Sequence, residues 1–450
     1  MDLRGPGAFE QGFDMGLMMG SAFVENYNSL LLSLFGDEWW EPSVQKIADV
    51  FLDWQWNDYL SKQVPKVYLD EIRGLTAGGI ASGMDLKGHD VGRVAARGIV
   101  LANLPSSLEN IVFILKDEKE HPAKASLKGE GMTEDDVLKV LDKLAARWHG
   151  MGCSNWGSWN SRTEGGRVFT GRNLDWLPDT GISKYKLITV HHPKNGHVHA
   201  TVGWAGIWGA ITGMSSQGIT VHEANLESND ITWRGFPWIL RLREVMAKAS
   251  TIEEGLAIWE ATNNTVGFNH GIGSANDQKI VLLETMMQNT AAFYDNDPRE
   301  QDLVVNYNGI PTQIGVPRVD AVYRTNHGYD PYTVEHFMWN NTASFDDSIK
   351  RYLAVPEIFD SYERSNTKIS HVQAINITAI LGDKGKPYDL YSCSGLPFED
   401  AWNILSVTYD PTNRKMYAAW ESGAGSETWM PAACSTYLEI DMRPWFTEIF

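Results

Sequence analysis

Three cysteines in 450 residues are too few for a disulfide scaffold, and the odd number leaves at least one thiol free unless it pairs between chains. Cys393 and Cys434 can bridge in an oxidising compartment or stay as two buried thiols. Basic residues are also scarce. The 38 Lys and Arg stand against 57 Asp and Glu, a net charge of -19. The clustered cations that neutralise phosphates are missing, which argues against nucleic acid or an anionic membrane as partner. No run approaches the roughly 18 consecutive apolar residues of a membrane span. The nearest, Met15 to Val24, lies between Asp14 and Glu25 without the basic flank of a signal peptide, so it reads as an ordinary helix. A leader already removed would place the chain in a secreted, periplasmic or lysosome-like setting. Internal repeats and low-complexity linkers are lacking too, so the parts of the chain are expected to share one core.

The 43% apolar and 21% charged fractions are those of a folded protein, and 18 Trp is a high count for this length. Residues 1 to about 150 look mainly helical. Apolar residues recur at three- and four-residue spacing through "SLLLSLFGDEWW" and "VQKIADVFLDWQWNDYL", and Thr133 with Asp136 in "MTEDDVLKVLDKLAARWHG" makes a capping-box arrangement. Between them "GRVAARGIVLANLP" and "ENIVFILKD" read as strands. After residue 150 short alternating runs separated by Gly, Asn and Pro predict antiparallel strands. Helices interrupt them at "PWILRLREVMAKA", at "TIEEGLAIWEATN" with a capping box at Thr251 and Glu254, and at "FDDSIKRYLAVPEIFDSY". Two blocks of strands with helices between them predict stacked sheets under helical layers.

The stretch "HGMGCSNWGSWNSRTEGGRVFTGRNLDW" carries the chemistry. Gly152-Cys153-Ser154 alone is weak, because a lone cysteine is more often a small buried hydrophobe than a nucleophile. "GRNLDW", however, puts Arg172 and Asp175 three apart in a strand, where buried charge is costly unless paired or employed. The plain alternative is a salt bridge at a strand end.

Cys153 followed by "GRNLDW" resembles the family of N-terminal-nucleophile cysteine amide hydrolases. That family includes penicillin V acylase, bile salt hydrolase, acid ceramidase, N-acylethanolamine acid amidase and acyl-coenzyme A:isopenicillin N acyltransferase. "YLDEIRGLTAGG" and "ARGIVLANLP" resemble the prosegment of its acid ceramidase and acyltransferase branch. "GMSSQGITVHEANLES" resembles the segment whose Asn, here Asn225, serves the oxyanion hole. "YRTNHGYD" is similar to the later segment with Asn326, "SIKRYL" to the helix bearing Arg351, and "SVTYDPTNRKMYAAW" to the strand pair closing the catalytic domain. The likeness runs in order over most of residues 65 to 420. It departs in spacing, "WGSWNSRTEGG" reading as a longer hairpin after the cysteine, and residues 1 to 60 match nothing.

The resemblance implies an α+β fold, a four-layer αββα sandwich of two stacked antiparallel sheets with a mainly helical prosegment. Residues 1–152 would remain packed on the catalytic chain 153–450 after self-cleavage between Gly152 and Cys153. Cys153 would then be nucleophile through its thiol and base through its new α-amino group. Asp175 would orient that amine, Arg172 favour the thiolate, Asn225 and Asn326 hold the oxyanion, and Arg351 add positive charge. The reaction would be cleavage of a linear non-peptide amide of a small N-acyl, lipid-like or aryl-acyl substrate through a thioester. It requires no cofactor and no metal. Acyl transfer through the same thioester is the near alternative, and a homo-oligomer stays open.

Each assignment has a plain counterpart. Asn225 and Asn326 can satisfy turn backbone, and Arg351 can pair with Asp347 on a helix surface. Two other classes compete. His191, His192, His197 and His199 flank a Pro-Lys-Asn-Gly turn where imidazoles across a hairpin can hold zinc, although there is no HExxH and the segment reads as an exposed polar hairpin. Tryptophans in "WGSWN", "GWAGIWG" and "ITWRGFPW" can line the groove of a non-catalytic binding protein, or hold the acyl chain of an enzyme.

Overall fold

The computed structural model describes residues 1–104, 152–176, 178, 181–301, 303–307, 310–338, 342–385, 390–394, 398, 401–423 and 429–447. The expected strand "ENIVFILKD" and the helix with Thr133 and Asp136 lie outside the described residues.

The N-terminal part opens with β1 (Asp2–Leu3) and continues as α1 (Ala8–Phe35), α2 (Pro42–Trp54), α3 (Lys66–Ala81) and α4 (Val91–Ala102). Residues 91–102, expected as a strand, are thus a helix. Asp90 caps it by accepting from Arg93 N, and Val91, Val94, Ala95 and Ile99 recur at helical spacing on a buried face. That period outweighs the β-branched run that reads as a strand. Glycines let α1 and α3 touch backbone to backbone. A Cβ at Gly12 would lie 2.0 Å from Glu71 O, and one at Gly78 2.0 Å from Phe13 O. Gly78→Ala is therefore expected to lower stability by about 3 kcal/mol or more, since neither backbone can yield to the added methyl. Denaturant unfolding checks this, and an unchanged midpoint would mean the helices do not pack this closely.

Two sheets follow. The strands are β2 (Gly152–Asn160), β3 (Gly166–Asp175), β4 (Lys186–His191), β5 (His199–Trp204), β6 (Gly213–Ser215), β7 (Ile219–Asn225), β8 (Phe268–Ser274), β9 (Lys279–Met286), β10 (Asn289–Phe293), β11 (Val304–Tyr307), β12 (Ile310–Gln313), β13 (Ala321–Arg324), β14 (Asn403–Asp410), β15 (Lys415–Trp420) and β16 (Leu438–Asp441). Eight run in the order β1-β4-β5-β6-β7-β8-β9-β10, and six in the order β13-β2-β3-β14-β15-β16, while β11 and β12 pair alone. Neighbours are antiparallel except β1 and β4 at one edge, which are parallel.

The remaining helices are α5 (Trp238–Lys248), α6 (Ile252–Glu260), the short α7 (Pro331–His336), α8 (Thr342–Arg364) and α9 (His371–Leu381). β2 and β3 lie across β7, β8 and β9, α5 and α6 cover the eight-stranded sheet, and α8 and α9 cover the six-stranded one. This is the αββα sandwich.

The N-terminal helices are bonded to this sandwich. Arg243 of α5 pairs with buried Glu71 of α3, to which Trp208 also donates, and Trp238 donates to Ala102 O of α4. Cys393 and Cys434 are bridged. The helix at Thr251 forms as expected, with Thr251 accepting from Glu254 N, but the Glu254 carboxylate returns to Ser250 N.

Candidate active site

Strand register explains the spacing in "GRNLDW". Cys153 is the second residue of β2 and sits opposite Leu174, with Asn155 opposite Arg172 and Gly152 opposite Asp175. Alternation turns Arg172 toward the second sheet, where β7 faces it, and three residues on it turns Asp175 the other way. Arg172 Nη2 lies 3.8 Å from Cys153 Sγ, donates to Glu223 O at 3.2 Å and pairs with the Glu223 carboxylate. Glu223 Oε2 is itself 3.8 Å from Sγ. The thiol thus lies between a guanidinium and a carboxylate, both fully buried.

Asp175 stands beside the Gly152–Cys153 peptide. Asn403 Nδ2 and Asp383 N donate to its Oδ1 at 2.7 and 3.1 Å, and Arg351 Nη1 lies 3.8 Å from its Oδ2. A Cβ on Gly152 would come within 3.2 Å of the Asp175 Cβ, so glycine lets the backbone before Cys153 lie against the carboxylate.

Asn326 and Arg351 hold the Cys153 backbone on its two sides, Asn326 at the peptide to Gly152 and Arg351 at the peptide to Ser154. Cys153 N donates to Asn326 Oδ1 at 2.9 Å, Arg351 Nη2 donates to that oxygen at 2.8 Å, and Arg351 Nη1 donates to Cys153 O at 2.7 Å. Arg351 does pair with Asp347 one turn away, but at 1% exposure it is an interior clamp and not a surface ion pair. Asn225 enters through its backbone: its N–H reaches the thiol and its carbonyl accepts from Asn326 Nδ2 at 2.8 Å. All six residues singled out in the sequence therefore meet around Cys153.

Four more residues belong to this constellation and escape sequence reasoning: Glu223, Asn403, Asp383 and Ser348, whose hydroxyl accepts from Asn326 N at 2.8 Å. Only Glu223 left a signal. It is a carboxylate inside the apolar strand "ITVHEAN", the same anomaly that drew notice to Arg172.

Burial dominates the electrostatics. It pushes the Cys153 thiol far above its ordinary value, Glu223 adding to the rise and Arg172 opposing it without prevailing. Arg172 is engaged by Glu223, so in the uncleaved chain the thiol stays protonated and needs a proton acceptor. Burial also raises Glu223 and Asp175. Asp383 is pushed from 3.8 up to about 7 by burial, with Asp175 and Asp347 adding to it.

The folded Asp383 thus holds a proton that the unfolded chain has released between about pH 4 and 7, and stability falls as pH rises through that window. At 1.36 kcal/mol per pH unit, wild type is expected to lose up to about 4 kcal/mol relative to Asp383→Asn between those limits. Urea unfolding across the range measures it, and a pH-independent difference would refute it.

The histidine segment is not the exposed hairpin expected. His191, His192 and His199 are each 2% exposed, His191 and His199 stack as register partners, and Arg243 Nη2 sits 3.2 Å from His191 Nδ1. β1 covers the edge of β4 and His192 bonds Asp2. Among the described residues no three His, Cys, Asp or Glu side chains converge as metal ligands.

Stacked sheets under helical layers, with a cysteine at a strand start and its arginine and aspartate on the neighbouring strand, are the architecture of the N-terminal-nucleophile hydrolase fold. Residues 161–424, more than half of the chain, match the family described as acyl-coenzyme A:6-aminopenicillanic acid acyl-transferase, and the chain belongs to that family. The matched span holds Arg172, Asp175, Asn225, Asn326 and Arg351 but begins after Cys153.

Among relatives, protein dcd1B of Dictyostelium discoideum is 29% identical over 149 residues, 32% of this chain and 30% of that protein. An uncharacterized protein of Archaeoglobus fulgidus is 22% identical over 374 residues, 80% of this chain and 55% of that protein. The chain thus spans about half or less of these relatives. Similar solved structures include an N-acylethanolamine-hydrolyzing acid amidase ortholog of Caenorhabditis elegans, 13% identical, covering 58% of this chain and 93% of that one at a TM-score of 0.39. Conjugated bile acid hydrolase of Clostridium perfringens is 13% identical, covering 64% and 93% at a TM-score of 0.40. Penicillin V acylase of Agrobacterium tumefaciens is 11% identical, covering 64% and 86% at a TM-score of 0.34.

Proposed function

We propose that the chain is an autoproteolytic cysteine N-terminal-nucleophile hydrolase. It cuts its own Gly152–Cys153 bond and then cleaves a linear non-peptide amide of an N-acyl compound. The observation that carries this is the setting of Cys153: Asn326 accepts from its N–H, in the peptide to Gly152, Arg351 donates to its carbonyl, in the peptide to Ser154, and its thiol lies between Arg172 and Glu223. In self-cleavage the thiol proton passes to Glu223, and sulfur bonds to the Gly152 carbonyl carbon. The C–N bond breaks and Glu223 returns the proton to the departing nitrogen. Water then hydrolyses the thioester, leaving a carboxylate on Gly152 and a thiol and α-amino group on Cys153.

That amine, with an ordinary pKa of about 7.7 to 8.0, is the base for later turnovers, held by Asp175. The substrate acyl group bonds to sulfur as its amine leaves with the proton, and water releases the acid. Acyl transfer differs only in the second acceptor, and the family description favours keeping it as the second reading. An apolar cavity against Glu223 supports an apolar acyl group. The helices α1 and α4 that wall it support the N-terminal part staying in place after cleavage.

The test is release of p-nitroaniline from N-acyl anilides of graded chain length. Processed wild type is expected to release it with or without chelator, and Cys153→Ala to release none. Turnover that survives in Cys153→Ala or stops with chelator would overturn the reading. Added amine acceptors that capture the acyl group would establish transfer.

A further inference from the structure

A cavity with an empty volume of about 730 Å³, its mouth included, begins at Glu223 and Leu174 beside the nucleophile and runs between the sandwich and the N-terminal helices. Tyr27 and Leu30 of α1 and Leu101 of α4 form the wall that the N-terminal part contributes. The lining is almost wholly apolar. Glu223, at the catalytic end, is occupied by Arg172 and the thiol.

The exception is Asn26, on α1, which lines the same cavity at 3% exposure. Its Nδ2 donates to Ile182 O at 3.2 Å and Ala205 O at 2.6 Å. Two carbonyl acceptors fix the amide orientation, because a flipped amide would set oxygen against oxygen. Its Oδ1, a buried acceptor, has no hydrogen-bond partner among the described residues. Such an atom costs free energy unless something in the cavity donates to it. An aliphatic acyl chain has no donor to offer.

We propose that Asn26 is a specificity-determining residue and that the acyl group carries a hydrogen-bond donor, such as a hydroxyl, along its chain, which Asn26 Oδ1 accepts. The N-terminal helix then reads the substrate as well as walling the pocket. The inference rests on the amidase reading for its source of ligand, not for its geometry.

The experiment is calorimetric binding of a saturated fatty acid and its monohydroxylated isomers, scanned carbon by carbon, to full-length Cys153→Ala protein. One position, or two adjacent ones, is expected to bind at least about tenfold tighter than the plain acid, because a site built around a hydroxyl discriminates against its absence. Asn26→Leu is expected to abolish that preference while still binding the plain acid. If the variant does not fold, the scan on the Cys153→Ala protein decides alone. A flat scan, or no binding of any acid, overturns the proposal, the first outcome meaning that water serves Oδ1. Parallel turnover of the matching anilides by wild type separates the two readings. Preferential binding without any amide cleavage would sink the hydrolase and leave the Asn26 site standing. Cleavage with a flat scan would do the reverse.

Discussion

On denaturing electrophoresis and by intact mass, purified wild type is expected to appear as two fragments meeting at Gly152 and Cys153, and Cys153→Ala as one intact chain. The expectation follows from three constraints at Cys153 and the glycine before it. Asn326 Oδ1 and Arg351 Nη1 fix the Cys153 N–H and carbonyl at 2.9 and 2.7 Å. Glycine on the acyl side admits the Asp175 side chain. The thiol has its only described carboxylate contact in Glu223, at 3.8 Å. Removing Sγ removes the only atom in this arrangement that can take the acyl group, so the loss is complete and not graded. The fragments are expected to co-elute under native conditions, since the N-terminal helices hold Arg243, Trp208 and Trp238 of the catalytic part through Glu71 and Ala102. Wild type that stays whole at mildly acidic and neutral pH would leave Cys153 without its amino-group base and would defeat the mechanism.

Glu223→Gln has the second largest expected effect, and it separates two roles. If Glu223 takes the thiol proton, self-cleavage slows by about 10² to 10⁴, the range for loss of a general base. The Glu223 charge also raises the thiol, so its neutralisation should make Cys153 easier to ionise. The variant is therefore expected to show thiolate absorbance at lower pH than wild type, each read against its Cys153→Ala counterpart, while cleaving more slowly. A merely structural role would move neither in this combination. Because Arg172 loses its buried partner, part of the change will appear as lower stability, which thermal melting records separately. Wild-type cleavage rates in Glu223→Gln would remove it from the proton path.

The difference between what was legible and what was not follows from range. "GRNLDW" exposes its anomaly locally, since two charges in one strand demand an explanation wherever the strand goes. Glu223 carries the same anomaly in "ITVHEAN", but its meaning depends on β7 crossing β2 and β3, a contact between sheets that no window of sequence contains. The 91–102 segment reads as a strand because its β-branched residues obscure a helical period that the Asp90 cap enforces. The histidines looked exposed because a polar turn sits between them. They are buried because β1, almost 190 residues earlier, covers the edge of β4, while α5 brings in Arg243.

By itself the sequence determined the alternation of strands and helices, the cysteine with its arginine and aspartate, and the order of the segments that make a family member, because hydrophobic period and motif spacing are short-range properties. Only the tertiary structure decided which residues surround the thiol, that burial keeps it protonated, and that α1 and α4 wall an apolar cavity beside Glu223 with Asn26 in its lining. Those depend on stacking two sheets and laying a helical segment over them, and burial, the largest influence on Cys153, Asp175, Glu223 and Asp383, does not exist until that stacking is complete.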